Sequence, residues 1–265
     1  MAADPLKPHM SMFQRTLWLS VTLIAMILLC MGSCTNTTSF VYGDGGSESK
    51  AVYGSGAQTT EDRHLAGPIR SVVASAAIHV TVLHSDVTAV SVTAPADCLP
   101  RLQTGLQGDT LVIGLLNGTY KGTITATITT PSLGGLRLSG SSTADVTGLS
   151  GDRCEIALDG ASHAIVRGTA GLAHVVVSGA SGADLTGVSA ARWDITCDGA
   201  STCDLAGAAD DAEVTANGAS TIDARGFHPR SAHVQADGAS TIHLGRVDQL
   251  RQDISGASTI TTESP

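Results

Sequence analysis

The chain has 265 residues, 24 acidic against 15 basic side chains, and a formal net charge of −9. Three Phe, two Trp and three Tyr are its only aromatics, and no basic stretch gathers its charge. This excludes a nucleic-acid surface, which needs a basic patch and stacking platforms. The negative charge itself speaks to solubility.

The N-terminal segment reads as a targeting sequence. With Met1 or Met12 as the start, Arg15 precedes an apolar run, Leu17–Cys30, and Met31-Gly32-Ser33-Cys34 follows. A charged flank, a short apolar stretch and small residues before a cysteine form a secretory signal. Its ending resembles a bacterial lipobox, which implies cleavage before Cys34 and lipidation of that residue, with Met31 standing where leucine is usual. Residues 1–33 are therefore expected to be a lipoprotein-type signal peptide. Their loss brings the net charge to −10, because Asp4, Lys7 and Arg15 leave with them. An uncleaved membrane anchor is the alternative, although the run is short for a span. Residues 34–63, rich in Ser, Thr and Gly, read as the lipidated cysteine and a flexible tether. The sequons at Asn36 and Asn117 carry little meaning in a bacterial lipoprotein.

From residue 64 the chain alternates apolar and polar side chains with the period of a β-strand. Residues 64–265 are expected to form a single body, in which residues 64–135 show this pattern irregularly and make earlier, irregular coils. In residues 136–260 a Gly-Ala-Ser-type triplet recurs at Gly140, Gly160, Gly179, Gly199, Gly218, Gly238 and Gly256, at intervals of 20, 19, 20, 19, 20 and 18. So short and regular a repeat marks turns of one stack. Counted from the glycine, offsets −4 and −2 are apolar, as in Ile156/Leu158 and Val175/Val177, and so are +4 and +6, as in Ala164/Val166 and Ala183/Leu185. A second glycine stands at +8 in five coils: Gly148, Gly168, Gly187, Gly207 and Gly226. Glycines about every ten residues exclude helices of useful length. The expected fold is all-β: a right-handed parallel β-helix, or β-solenoid, of about 19–20-residue coils. Each coil would hold two short strands joined by the triplet corner and a second glycine turn. Coils stacked about 4.8 Å apart make seven of them a rod on the order of 35 Å long.

The serines two residues after each glycine, Ser142, Ser162, Ser181, Ser201, Ser220, Ser240 and Ser258, become a structural ladder that satisfies corner backbone. The residues at −2 and +4 exchange size along the stack: Leu158/Ala164, Val177/Ala183, Cys197/Cys203, Ala216/Ile222, Ala236/Ile242. Close packing tolerates little volume change, so these two offsets touch. Gln252 breaks the −4 column, which marks the last coil as a cap. Residues 261–265 remain as a tail.

Candidate sites follow from these offsets. Cys197 and Cys203 face one another in an exported protein, which predicts a disulfide across the corner; two buried free thiols are the alternative. Asp184, Asp204 and Asp223 share the outward offset +5 in consecutive coils, as does Asp145 further down. The three form a weak Ca²⁺ candidate beside the reading as a solvated acidic stripe. His163, His174, His233 and His243 stand at outward or corner offsets without a repeating pattern and read as surface residues. Cys154 points inward without a partner, and Cys98 lies outside the repeats. Asp194 and Glu213 provide carboxylates for a polysaccharide-degrading alternative, whereas Trp193, at an inward offset, reads as core. No nucleophile elbow, P-loop or dinucleotide motif is present, so no catalytic residue and no cofactor are expected.

The triplets, with the strands Ile78–Val82, Val90–Ala94, Leu111–Ile113 and Ile124–Pro131 before them, resemble the head GIN domain family, which is described in terms of auto-transporter adhesins and is common in bacterial envelope proteins. Asp198-Gly199-Ala200-Ser201-Thr202, Asn217-Gly218-Ala219-Ser220-Thr221 and Asp237-Gly238-Ala239-Ser240-Thr241 carry the resemblance most specifically. It covers roughly residues 64–260 and implies a β-solenoid at a surface location. It implies no established chemistry and transfers no functional residues. The sequence thus describes a non-enzymatic, lipid-anchored protein of the outer membrane, an adhesin or display module for a glycan or an envelope or cell-surface protein. A structural or signalling periplasmic component and a carbohydrate-active enzyme are the alternatives.

Overall fold

The computed structural model describes residues 52–263; the signal segment, Cys34 and the tether up to residue 51 lie outside them. Strands β1 (Val52–Tyr53), β2 (Gln58–Asp62), β3 (Ser71–Ala74), β4 (Ile78–His84) and β5 (Ala89–Pro95) come first. A short 3-10 helix at Leu99–Arg101 leads to β6 (Leu102–Gln107), β7 (Thr110–Leu115), β8 (Thr119–Tyr120) and β9 (Ile124–Thr130). The repeat region supplies β10 (Gly135–Leu138), β11 (Thr143–Leu158), β12 (His163–Val177), β13 (Gly182–Cys197), β14 (Thr202–Ala216) and β15 (Thr221–Ala236). It closes with β16 (Thr241–Leu244), β17 (Gln249–Ile254) and β18 (Thr259–Thr262). No helix of the described residues is long and apolar enough to cross a membrane.

From β10 to β18 every pairing is parallel and in register one coil away, which makes the body a β-solenoid. Even offsets point inward. Ile156, Leu158, Val175, Val177, Ile195, Val214 and Val234 are buried, and Cys154, Ala173, Trp193, Ala212 and Ala232 extend the core one position further. The expected second turn is absent as a break. In β11 to β15 the strand runs on through the glycine at +8, and the register slips there instead, for example between Thr147 and Leu149. A bulge bends a strand without ending it, so each coil needs only one true corner.

That corner explains the triplet. The Ala N–H of each coil donates to the glycine carbonyl of the coil before it, as in Ala180 to Gly160 and Ala200 to Gly179, at 2.7 and 2.8 Å. The glycines hold positive φ, 76° at Gly199, and a Cβ there would stand 2.7 Å from the Gly179 carbonyl oxygen. Both the backbone conformation and the closeness of the coils demand glycine. The serines are buried from Ser142 to Ser240, and Ser258 in the last coil is partly so. Ser162 Oγ donates to the Asp159 carbonyl at 2.8 Å, and Ser240 Oγ to the Ala216 carbonyl at 3.1 Å. Ser181 Oγ accepts from the Ser162 N–H at 3.2 Å.

The first part of the chain forms coils out of chain order. β3 and β4 pair with β10 and β11 on one side and with β7 and β9 on the other, so a coil of residues 71–84 lies between two later ones. Its corner is Ser75-Ala76-Ala77, in which both alanines take the positive φ that glycine holds elsewhere, 74° and 58°. Ile78 fills the serine position and is fully buried. Beyond this, β6 pairs antiparallel to β7, β5 to β9 and β2 to β5, which closes the N-terminal end. β1 pairs with β8, and the Tyr53 and Tyr120 rings stack at 5.5 Å. Two boundaries change as a result. The tether expected through residue 63 ends earlier, because Gln58–Asp62 has a strand partner in β5. The tail expected from residue 261 starts later, because β18 continues the ladder of β16 to Thr262.

Candidate binding faces

Odd offsets point outward, and on the strand segment before the corner they build one titratable column. Glu155, His174, Asp194, Glu213, His233 and Arg251 align in register across six coils. At about 4.8 Å per coil the column spans roughly 24 Å. His174 Nδ1 lies 2.9 Å from Asp194 Oδ2, and His233 Nε2 lies 3.0 Å from Asp253 Oδ2. Arg153 pairs with Glu155 at 3.1 Å. The hydrogen bond to Asp194 raises the His174 pKa against the opposing effect of burial. The same bond lowers that of Asp194. Glu213 sits between Asp194 and His233 with no ion-pair partner among the described residues. His174 and His233 therefore share one offset, a pattern the sequence reading did not see; His163 and His243 stand on the other face.

That other face, after the corner, carries the aspartates. Asp184, Asp204 and Asp223 are aligned in consecutive coils, as expected. The carboxylates of Asp184 and Asp223 turn to separate partners. Asp184 Oδ1 accepts from Thr186 Oγ1 at 2.6 Å and from the Thr186 N–H at 3.0 Å. Asp223 is paired with Arg225, which holds its pKa at about 2. Asp204, between them, is raised by burial and then by its two acidic neighbours. Among the described residues no group of three His, Cys, Asp or Glu side chains is arranged to hold a metal ion. The three carboxylates thus form an aligned stripe in which Asp184 and Asp223 are engaged with residues of their own strands and Asp204 is left between them. A threonine column, Thr202, Thr221, Thr241 and Thr259, runs beside it.

Cys197 and Cys203 meet in the core, as the size exchange requires, but as free thiols. Each thiol titrates against the other, which pushes the Cys203 pKa up, as burial also does, and that of Cys197 down. The disulfide expectation thus gives way to its alternative, two buried free thiols that fill core volume. Ser201 lies beside them and has no other partner for its Oγ. Cys98 and Cys154 are buried free thiols in separate places. Trp193 is core, with its ring edge-on to Phe227 at 5.8 Å.

Two concavities lie on the surface of the described residues. A cleft of about 370 Å³ beside the first coils is lined by Arg70, Asp109, Asp152, Arg153 and Glu155 with small residues between them. A shallow groove of about 450 Å³ crosses the bulge edge over Thr169, Ala170, Ser189, Ala190, Ala208 and Asp210. The cleft shares Arg153 and Glu155 with the titratable face.

The fold is shared with known proteins. The family model described as "Putative auto-transporter adhesin, head GIN domain" matches residues 70–263. The chain belongs to the head GIN domain family. A comparison with curated proteins found no match. Among solved structures, a "putative adhesin" from Parabacteroides merdae ATCC 43184 is similar at a TM-score of 0.73 and 15% identity, over 81% of this chain and 99% of that one. A "putative lipid binding protein" from Parabacteroides distasonis ATCC 8503 follows at 0.67 and 18%, over 81% and 100%. A "putative adhesin" from the same organism stands at 0.68 and 18%, over 79% and 98%. At these identities the likeness is one of fold.

Proposed function

We propose that this head GIN domain protein is a non-enzymatic binding or display module of the bacterial envelope, anchored by lipid at Cys34. The observation that carries the reading is the titratable column from Glu155 to Arg251. Its outward side chains are free of the packing duties that hold the corner, and a column that mixes three acids with two histidines and an arginine suits a polar partner such as a glycan or an envelope or cell-surface protein. The mixed charges of the adjoining cleft support the same class of ligand. Family membership and neighbours described as adhesins or lipid-binding proteins support binding over catalysis. A rigid stack of coils sets outward groups at fixed intervals, which lets weak contacts add.

The anchor and the activity are tested separately. Incorporation of labelled palmitate, lost in Cys34→Ser, is expected of the anchored protein. Protease treatment of intact cells is expected to remove a surface-exposed module, and complete protection would favour a periplasmic structural or signalling component. Hydrolysis of any member of a polysaccharide panel, abolished by Asp194→Asn or Glu213→Gln, would overturn the non-enzymatic reading.

A further inference from the structure

The two ends of the solenoid differ. At the N-terminal end the outer edge strand β2 is wholly polar, Gln-Thr-Thr-Glu-Asp, and runs antiparallel to β5. At the other end β17 pairs only with β15, and β18 only with β16, among the described residues. Leu250, Gln252 and Ile254 continue the core columns of Ala232, Val234 and Ala236. Among the described residues no coil lies above them: Leu250 is 37% and Ile254 50% exposed, where their counterparts are buried. An uncovered strand edge with apolar side chains is a template for another strand.

We propose that this edge receives a second copy of the chain, tail to tail, with the two β17 strands antiparallel about a two-fold axis at Gln252. The sequence of β17 is complementary to itself in that register. Leu250 then faces Ile254 of the partner subunit, Gln252 faces its own copy, and Arg251 faces Asp253 of the partner subunit on both sides of the axis. Side chains directly opposite in an antiparallel pair lie on one face, so apolar meets apolar inside and opposite charges meet outside. A shift of two residues either way sets Arg251 against Arg251 or Asp253 against Asp253, and Gln252 against Leu250 or Ile254. Two-fold pairing of one surface with itself is also the commonest way in which copies associate.

The chain enters the body at β1, beside β8 in the outermost coil of the opposite end. Two copies joined at β17 therefore hold their entry points apart. Where the chain is anchored at Cys34, on which this consequence alone rests, the pair bridges two membranes and makes the module its own partner.

Sedimentation of the full chain in detergent, over a concentration series, tests the pairing independently of the anchor's chemistry. A reversible dimer is expected. Asp253→Arg and Arg251→Asp each place like charges across the axis and should weaken it about tenfold, since two exposed pairs turn from attraction to repulsion. The double variant R251D/D253R restores opposite charges and should dimerise as the parent does, which excludes mere loss of folding. Gln252→Cys should give a disulfide-linked dimer under mild oxidation, where Thr215→Cys, within the stack, should not. A chain that stays monomeric, or a dimer indifferent to all three charge variants, overturns the proposal. The second result would mean association through another surface, the N-terminal segment included.

Discussion

Gly199→Ala isolates what the triplet does. Gly199 holds φ at 76°, and a Cβ would stand 2.7 Å from the Gly179 carbonyl oxygen, with the backbone nitrogen and carbonyl carbon of Gly179 close behind. The left-handed conformation costs an alanine about 1–2 kcal/mol, and forcing backbone apart in a packed stack typically adds 1–3 kcal/mol. Reduced freedom of the unfolded chain returns about 0.4–1 kcal/mol, so the net loss is about 1–4.5 kcal/mol. Gly207 has φ at 102° with nothing within 4 Å of a Cβ, and Gly105 has neither a positive φ nor a neighbour. Gly207→Ala should therefore lose only the conformational part less the same return, about 0–1.5 kcal/mol, and Gly105→Ala should be neutral or slightly stabilising. Urea denaturation orders the three. Hydrogen exchange locates the effect, because the Ala200 N–H bond to Gly179 and the Ala219 N–H bond to Gly199 flank the substitution. Stability of Gly199→Ala equal to that of Gly105→Ala would refute the reasoning.

Further outcomes follow from the faces and the core. Asp204→Asn should raise stability at neutral pH by a few tenths to about 1 kcal/mol, since it removes like charge between Asp184 and Asp223; the gain should vanish as pH falls through the raised pKa of Asp204, and a loss at neutral pH would restore the metal-site reading. The His174–Asp194 pair should contribute no more than about 1 kcal/mol, being partly exposed. Its contribution is fully present between the carboxylate and imidazole ranges. It declines as pH rises through the raised pKa of His174 and as pH falls through the lowered pKa of Asp194. NMR titration of His174 should show its pKa fall in Asp194→Asn, and an unmoved pKa would break the pair. Peptide mapping of denatured, unreduced protein should find Cys197 and Cys203 both alkylated, whereas a linked peptide resistant to alkylation would restore the disulfide.

The solenoid was legible in the sequence wherever the repeat was regular, because period-two burial and a glycine-demanding corner leave marks at fixed spacing. Irregular coils were expected before residue 136, but the corner of the one at residues 71–84 escaped because Ser75-Ala76-Ala77 makes it without glycine. There the stack is looser: a Cβ at Gly140 would stand 3.2 Å from the Ala76 nitrogen, against 2.5 Å from the Gly140 carbonyl oxygen for one at Gly160. Its place between later coils also follows from long-range pairing, which no local pattern records. The second turn was misread because a glycine at +8 serves a bulge as well as a break. On the surface, the outward carboxylates of Asp184, Asp204 and Asp223 aligned as read, but Thr186 and Arg225, each two residues along the same strand, decide where those carboxylates point. The His174–Asp194 pair arises from register across coils, visible only when offsets are compared residue by residue.

The central claim is that the corner builds the rod and the outward column from Glu155 to Arg251 does the recognising. The most direct measurement is adherence of particles coated with the chain to cells and immobilised glycans, comparing the parent with the triple variant Asp194→Asn, Glu213→Gln, His233→Gln. The account predicts that the variant keeps the parent's melting temperature to within a few degrees and binds about tenfold more weakly or worse. A folded variant that adheres as strongly as the parent would contradict it.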